Sequence, residues 1–255
     1  MKKRRARAMP KPRRDTSPAL PPGNVTIPCM GQMYTKTAQS LVALSHRLPP
    51  GSSTTFMDSL STIAGKRNAA AAYFLEDPKL KWLCFIDSDM VVPPDAIIRL
   101  LRTPGDVVGG LYCQREPPYL FEAGWVDEGS LSDDPRRPTD TEGVQYRLLT
   151  VDQVDGQPHS VDVVGTGLML IRRRVLEAVD PPWFEPNERN LKGYGQNEDW
   201  NFCLRAKRAG FNVVCNTAVY ADHLHGPQPL SLEFVRTWHE MHRTPRVKVT
   251  MLGTG

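Results

Sequence analysis

Asp87 and Asp89 stand at the end of the apolar run Trp82-Leu83-Cys84-Phe85-Ile86, with only Ser88 between them. Such a run, stopping abruptly at two acids, reads as a buried strand with a charged tip. At this spacing both carboxylates can face one side of an extended chain. Two like charges so placed repel each other unless a proton or a cation lies between them. A divalent metal with oxygen ligands suits that position, and with it chemistry on a charged substrate such as a nucleotide diphosphate. A plainer reading is also open, in which one aspartate caps the turn before Pro93 and the other is solvated.

Four further groups could carry chemistry. Glu198 and Asp199 follow Asn197 and fall in the first turn of an expected helix. One of them could serve as a base or as a ligand to an acceptor hydroxyl, or both could simply favour the helix start that Asn197 caps. Trp200, Phe202 and Leu204 read as core. In Asp222-His223-Leu224-His225-Gly226 a neutral imidazole could bind a divalent metal. His223 and His225 are not distinguished, and a surface turn with chance histidines is the alternative. His239 and His242 read as solvated. Arg67 could clamp a diphosphate or pair with Asp87, or lie on the surface. Gly165-Thr166-Gly167 permits close approach of backbone to a ligand or marks a bulge. Its spacing is no dinucleotide fingerprint, and the chain has no phosphate loop of Gly-Lys-Ser/Thr type.

These groups need elements to position them. Strands are expected at Val25–Cys29, near Thr54–Met57, at Trp82–Ile86, at Asp106–Tyr112, over an interrupted Val161–Ile171, and at Phe211–Cys215. Helices are expected at Thr35–Leu48, Ser61–Leu75, from Pro93-Pro94-Asp95 through Leu101, at Arg173–Val179, from Asn197 to about Ala209, and from Leu230 to about His242. Strand and helix alternate through the front half. That pattern argues an α/β fold with a mixed, mostly parallel central sheet covered by helices on both faces. Ligands in such sheets bind at the carboxyl ends of strands, where Asp87 and Asp89 would lie. Residues 127–143 lack periodicity and read as a long loop, and 187–196 as a polar, glycine-bearing one.

The 255 residues suffice for one large α/β domain, with 40% hydrophobic and 24% charged residues as in ordinary globular proteins. Eight of the 32 basic residues fall within residues 1–14, which hold no acid. The rest carries 24 basic against 28 acidic residues, a net of −4. The expected division is therefore a disordered basic tail over 1–24, a catalytic domain over 25–226, and a terminal helix and tail over 227–255. The tail could touch nucleic acid or an anionic surface. No run is long enough for a transmembrane helix and no secretory signal is evident, so a cytoplasmic protein is expected. Cys29, Cys84, Cys113, Cys203 and Cys215 read as reduced core residues, with neither zinc nor disulfide spacing.

Taken in order, the motifs resemble the GT-A glycosyltransferases. The likeness runs from about Val25 to Gly226. It rests on Lys66-Arg67-Asn68, Phe85-Ile86-Asp87-Ser88-Asp89 with Val92-Pro93-Pro94-Asp95, Gly165-Thr166-Gly167 with Leu168 to Arg173, Gly195-Gln196-Asn197-Glu198-Asp199, and Asp222-His223. The resemblance implies a Rossmann-like GT-A domain that moves a sugar from a nucleotide-diphosphate donor, UDP- or GDP-linked, to an acceptor hydroxyl. It implies Mn²⁺ or Mg²⁺ at Asp87, Asp89 and His223. It puts Arg67, Asp87 and Gly165-Thr166-Gly167 near the donor, and Tyr194 in a segment that closes over it. Asp199 or Glu198 would meet the acceptor. The loop after the first strand, Pro28-Cys29-Met30-Gly31-Gln32, departs from the family's nucleotide-binding pattern and leaves the base open. Two other readings accompany this one: a nucleotidyltransferase on a related fold, and a non-catalytic sugar-nucleotide or nucleic-acid binding module.

Overall fold

The computed structural model describes residues 19–58, 62–127, 145–185, 198–242 and 248–250. The basic stretch 1–14, most of the 127–143 loop, and residues 187–197 with Tyr194 and Asn197 lie outside them.

Seven strands form the main sheet: β1 (Asn24–Cys29), β2 (Ser53–Asp58), β3 (Trp82–Ile86), β5 (Val107–Leu111), β8 (Pro158–Val161), β10 (Leu168–Arg172) and β11 (Val213–Tyr220). Their order is β2-β1-β3-β10-β5-β11-β8. β2, β1, β3, β5 and β11 run one way, while β10 and β8 run antiparallel to their neighbours. The expected mixed, mostly parallel sheet is thus the one found. β4 (Met90–Val91), β12 (Asp222–His225) and β13 (Gln228–Leu230) form a three-stranded sheet; β6 (Ala123–Val126), β7 (Gln145–Leu148), β9 (Val163–Val164) and β14 (Lys248–Thr250) form a four-stranded one.

β3 shows why the main sheet is covered on both sides. All five of its residues are buried. Leu83 and Phe85 pack into one core with Ala70, Phe74, Trp200 and Phe202. Trp82, Cys84 and Ile86 pack into the other with Leu41, Leu44, Ile97 and Leu100. The two-residue alternation of a strand sends these sets to opposite faces. The covering helices are α1 (Thr35–Ser45), α2 (Ile63–Glu76), α3 (Ala96–Arg102) and α5 (Glu198–Arg208), with α4 (Arg173–Ala178) and α6 (Leu232–His242) beside them. Each lies within a few residues of its expected place. All five cysteines are free and buried. No helix of the described residues is long and apolar enough to cross a membrane.

Three sequence expectations are corrected. Val161–Ile171 is not one interrupted strand. β8 and β10 belong to the main sheet and β9 to the four-stranded one, because the chain changes sheets at Asp162 and again across Gly165-Thr166-Gly167. The irregular stretch was expected to reach residue 24, yet residues 21–23 are packed. Trp82 Nε1 donates to the Pro21 carbonyl at 2.8 Å, Lys81 N donates to that of Pro22 at 2.8 Å, and a Cβ on Gly23 would sit 2.1 Å from the Trp82 ring. His239 and His242 are not simply solvated: the His242 ring stacks on Trp238 at 4.2 Å, and His239 Nε2 is buried.

Candidate active site

The carboxyl ends of β1, β3 and β5 and the start of antiparallel β10 share one edge of the sheet. β3 and β10 pair Ile86 with Leu168, so Asp87 emerges opposite Gly167, and Asp87 N donates to the Gly167 carbonyl at 3.2 Å. A tight turn follows, closed by Met90 N on the Asp87 carbonyl at 3.1 Å. It returns the chain into β4 and leaves Asp87 and Asp89 on the rim.

Arg67 reaches this edge from the buried face of α2. That helix starts at Thr62, whose hydroxyl accepts from Gly65 N at 3.1 Å, as an N-cap should. Its buried side chains recur as Ala64, Lys66, Arg67, Ala70, Ala71 and Phe74. Small alanines on that face let the helix lie close to the sheet. Arg67 is only 4% exposed, so the surface reading of this residue is excluded. Its Nη2 donates to both Asp87 oxygens, at 2.9 and 3.2 Å, and its Nη1 donates to Glu198 Oε1. Burial opposes the guanidinium charge, but Asp87, Glu198 and Asp199 outweigh it and raise the Arg67 pKa. Arg67 therefore ties the end of β3 to the start of α5.

Asp199, 8% exposed, lies beside this pair. Its Oδ2 accepts from Thr166 N at 3.0 Å and from Thr166 Oγ1 at 3.2 Å, and its Oδ1 from Trp200 N at 2.8 Å. Of about four lone-pair positions on a carboxylate, three are engaged and one on Oδ1 stays open among the described residues. Burial raises the pKa of Asp199, with Arg67 and the hydrogen bonds pulling the other way. Burial and the nearby Asp199 charge likewise raise that of Glu198. Thr166 thus positions Asp199. The two glycines beside it answer to Tyr112: a Cβ on Gly165 would meet Tyr112 Oη at 2.0 Å, and one on Gly167 would meet Tyr112 Cζ at 2.6 Å. The close approach they permit is to a side chain of the protein itself, not to an open ligand space.

Asp89 belongs to a second group. β12 pairs with β4, setting His223 against Met90, and Leu224 N donates to the Asp89 carbonyl at 2.9 Å. This pairing delivers His223 to Asp89, with Nε2 3.4 Å from Oδ2. His225 lies past the β4 contact and faces the Arg115 carbonyl at 3.1 Å and Glu116 at 3.6 Å. The sequence left the two histidines undistinguished, and the register separates them. His223 Nδ1 must donate to the Cys113 carbonyl, 2.8 Å away, because a carbonyl only accepts. Protonated, the ring donates from Nε2 to Asp89 Oδ2; neutral, it turns a lone pair on Nε2 toward that carboxylate oxygen. Arg115 Nη1 also donates to that oxygen, at 3.3 Å. Burial would lift the Asp89 carboxyl, but His223 and Arg115 hold it below its ordinary value. Burial would lower the His223 pKa, and Asp89 raises it instead.

Asp89 and His223 fit a divalent cation. Octahedral metal–donor distances of about 2.0–2.2 Å put adjacent ligands about 2.8–3.1 Å apart, so the two atoms at 3.4 Å would need to close by only a few tenths of an ångström to share such a cation. The Nδ1 bond to a backbone carbonyl is the usual way a ligating histidine is oriented. Both oxygens of Asp87, by contrast, are engaged by Arg67. Among the described residues no group of three or more His, Cys, Asp or Glu surrounds a common point. A hard cation such as Mg²⁺ commonly takes only one or two protein ligands and completes its shell with water and substrate phosphate.

Three participants escaped the sequence reading: Arg115, Tyr112 and Glu122. Arg115 stands just past the carboxyl end of β5, where ligands of such sheets bind, and that was its available signal. Glu122 is partly buried, and burial together with the Asp199 charge pushes its carboxyl up to about 7. Nothing in its local sequence announces this.

The structure of A197 from STIV is similar over 90% of this chain and 93% of that one, with 17% identity and a TM-score of 0.56. The catalytic domain of Drosophila β1,4-galactosyltransferase 7 in complex with xylobiose aligns over 89% and 81%, with 14% identity and a TM-score of 0.46. S. aureus TarS 1-349 aligns over 78% and 60%, with 13% identity and a TM-score of 0.40. The search of curated proteins found no match. The model of glycosyltransferase-like family 2 matches residues 59–249. That span takes in Arg67, both aspartates of the β3 end, Asp199 and His223, and it bears out the expected GT-A type of enzyme: the chain is a glycosyltransferase and belongs to glycosyltransferase-like family 2.

Proposed function

We propose that the enzyme transfers a sugar from a nucleoside-diphosphate donor to an acceptor hydroxyl, with Mn²⁺ or Mg²⁺ held by Asp89 and His223. The observation that carries this reading is the facing pair Asp89 Oδ2 and His223 Nε2 at 3.4 Å, with the ring fixed from behind by the Cys113 carbonyl; a divalent cation would replace the ring proton between them. Bound there, the cation supplies positive charge for the departing nucleoside diphosphate.

The protein's own residues account for the rest. Arg115, at the mouth beside Asp89 and 55% exposed at its side chain, is free to turn onto a donor phosphate, for which its planar fork is suited. Arg67 keeps Asp87 and Glu198 in place and sets the positive field between the donor and acceptor sides. Asp199 takes the acceptor proton at its open Oδ1 position. Its raised pKa makes it a stronger base than an exposed aspartate, while Thr166 and Trp200 N fix its plane. Tyr112, buried between Gly165 and Gly167, spaces the two groups apart.

Isothermal titration of UDP-sugars and GDP-sugars with Mn²⁺, on wild type and on Asp89→Ala, tests the metal role. Donor binding that requires Mn²⁺ in the wild type and is lost in the variant supports it. Equal binding with and without metal, or no effect of the substitution, overturns it.

A further inference from the structure

We propose, resting on the reading just given, that Glu122 hydrogen-bonds a hydroxyl of the sugar being transferred, and that this sugar is neutral rather than a uronic acid. In that reading the nucleoside diphosphate departs at Asp89 and His223, and Asp199 takes the acceptor proton. The transferred sugar must lie between the two.

The chain around Glu122 spans the same gap. After β5 it turns back into β6 as a hairpin. Glu122 N donates to the Tyr112 carbonyl at 3.0 Å and Gln114 N to that of Leu120 at 2.8 Å, with Cys113 bridged to Phe121 between them. This register sets Glu122 across from Tyr112 and diagonal to Gln114. Strand alternation sends these three side chains to one face, while Cys113 and Phe121 enter the core on the other. The Tyr112 face is the one that meets Gly165 and Gly167. Gly165 N donates to the Glu122 carbonyl at 2.8 Å, and a Cβ on Gly165 would stand 3.1 Å from that of Glu122. The next residue, Thr166, is the one that holds Asp199. The opposite arm of the hairpin serves the other side: the Cys113 carbonyl orients His223, and Arg115 reaches Asp89. Glu122 accordingly feels the charges of both Asp199 and His223.

No structural need accounts for an acid at this point. Its side-chain partner is the neutral Gln114, and among the described residues no lysine or arginine pairs with it. Burial and the Asp199 charge both oppose its ionisation. A neutral side chain of the same volume would fill the place at lower cost. Glu122 is nevertheless partly open to solvent, so a ligand can reach it. A carboxylate suits a sugar hydroxyl, because it only accepts and its charge strengthens the bond. The same charge, with Asp87, Glu198 and Asp199 close by, repels a carboxylate carried on the sugar.

Titration calorimetry with Mn²⁺ tests this on wild type, Glu122→Ala and Glu122→Gln, each checked for folding by its melting curve. The ligands are UDP, GDP, their neutral hexose conjugates and UDP-glucuronic acid. Glu122→Ala should weaken a neutral nucleotide sugar by about tenfold or more, while leaving the free nucleoside diphosphate within about twofold. Wild type should prefer the neutral sugar to the uronic acid by on the order of tenfold or more. That preference should shrink in both variants, so Glu122→Gln alone decides the matter if Glu122→Ala does not fold. Equal losses for nucleotide sugar and nucleoside diphosphate would make Glu122 a merely structural residue and overturn the proposal. So would unchanged sugar binding by Glu122→Ala, or a wild type that binds the uronic acid as tightly as the neutral sugar. A wild type that binds no nucleoside diphosphate with Mn²⁺ would instead overturn the donor reading itself, and the role of Glu122 with it.

Discussion

Replacing Arg67 with methionine removes the one cation among the described residues that pairs with both Asp87 and Glu198, and that acts on Asp199 through space. Methionine keeps much of the apolar stem that packs beside Ala70 and Ala71, so the change is mainly one of charge and hydrogen bonding. Deleting one partner of a buried ion pair typically costs about 3–5 kcal/mol, because the remaining charge loses its compensation. For a chain of this size each kcal/mol moves the melting temperature by about 2–4 °C, so Arg67→Met should melt roughly 6–20 °C below wild type at pH 8. The pH dependence has a definite sign. Glu198 and Asp199 already have raised pKa values through burial, with Arg67 opposing the rise. Without Arg67 they rise further. Carboxylates that hold protons more tightly when folded make stability fall as pH increases from the unfolded to the folded pKa. The deficit of Arg67→Met should therefore shrink as pH drops from 8 to 5. Differential scanning fluorimetry across that range measures it. A deficit under about 1 kcal/mol, or one that grows on acidification, would mean that Arg67 does not hold these carboxylates together.

Two more outcomes follow from the same geometry. Asp199→Asn should lower kcat by about 10²–10⁴ while leaving donor affinity nearly unchanged, read by steady-state kinetics beside titration calorimetry; normal turnover would leave Asp199 with a capping role only. Glu122 sits at about 7 against an ordinary 4.5, which at about 1.4 kcal/mol per unit amounts to a penalty of ~3 kcal/mol above pH 7. Glu122→Gln should therefore melt higher than wild type at pH 8, with the difference gone by pH 4.5; an equal or lower melting point at pH 8 would contradict the buried-acid assignment.

The parts of the fold legible in the sequence are those set by local pattern. β3 was readable because five apolar residues end at an acid, and α5 because its acids and aromatic residues fit a helix start over a core: Trp200 and Phe202 are 2% and 0% exposed. What depends on long-range register was not readable. His223 and His225 are equivalent by spacing, and only the β4–β12 pairing turns the first toward Asp89. Gly165 and Gly167 looked like a ligand cradle because a glycine's neighbour cannot be named from sequence, and here that neighbour is Tyr112, more than fifty residues earlier. Pairing of Arg67 with Asp87 was one of the readings open in the sequence, yet its burial comes from α2 lying on the sheet, which an alanine-rich pattern does not reveal. Arg115 went unnoticed because it sits in an irregular turn, where periodicity carries no signal.

In the proposed reaction the nucleoside diphosphate leaves from the Asp89–His223 side. Chromatographic analysis of the products from a panel of UDP- and GDP-sugars, incubated with enzyme and Mn²⁺, examines that claim. Release of nucleoside diphosphate that stops on chelation and in Asp89→Ala is the predicted result. Release of pyrophosphate, or nucleoside diphosphate production indifferent to both chelator and substitution, would contradict it.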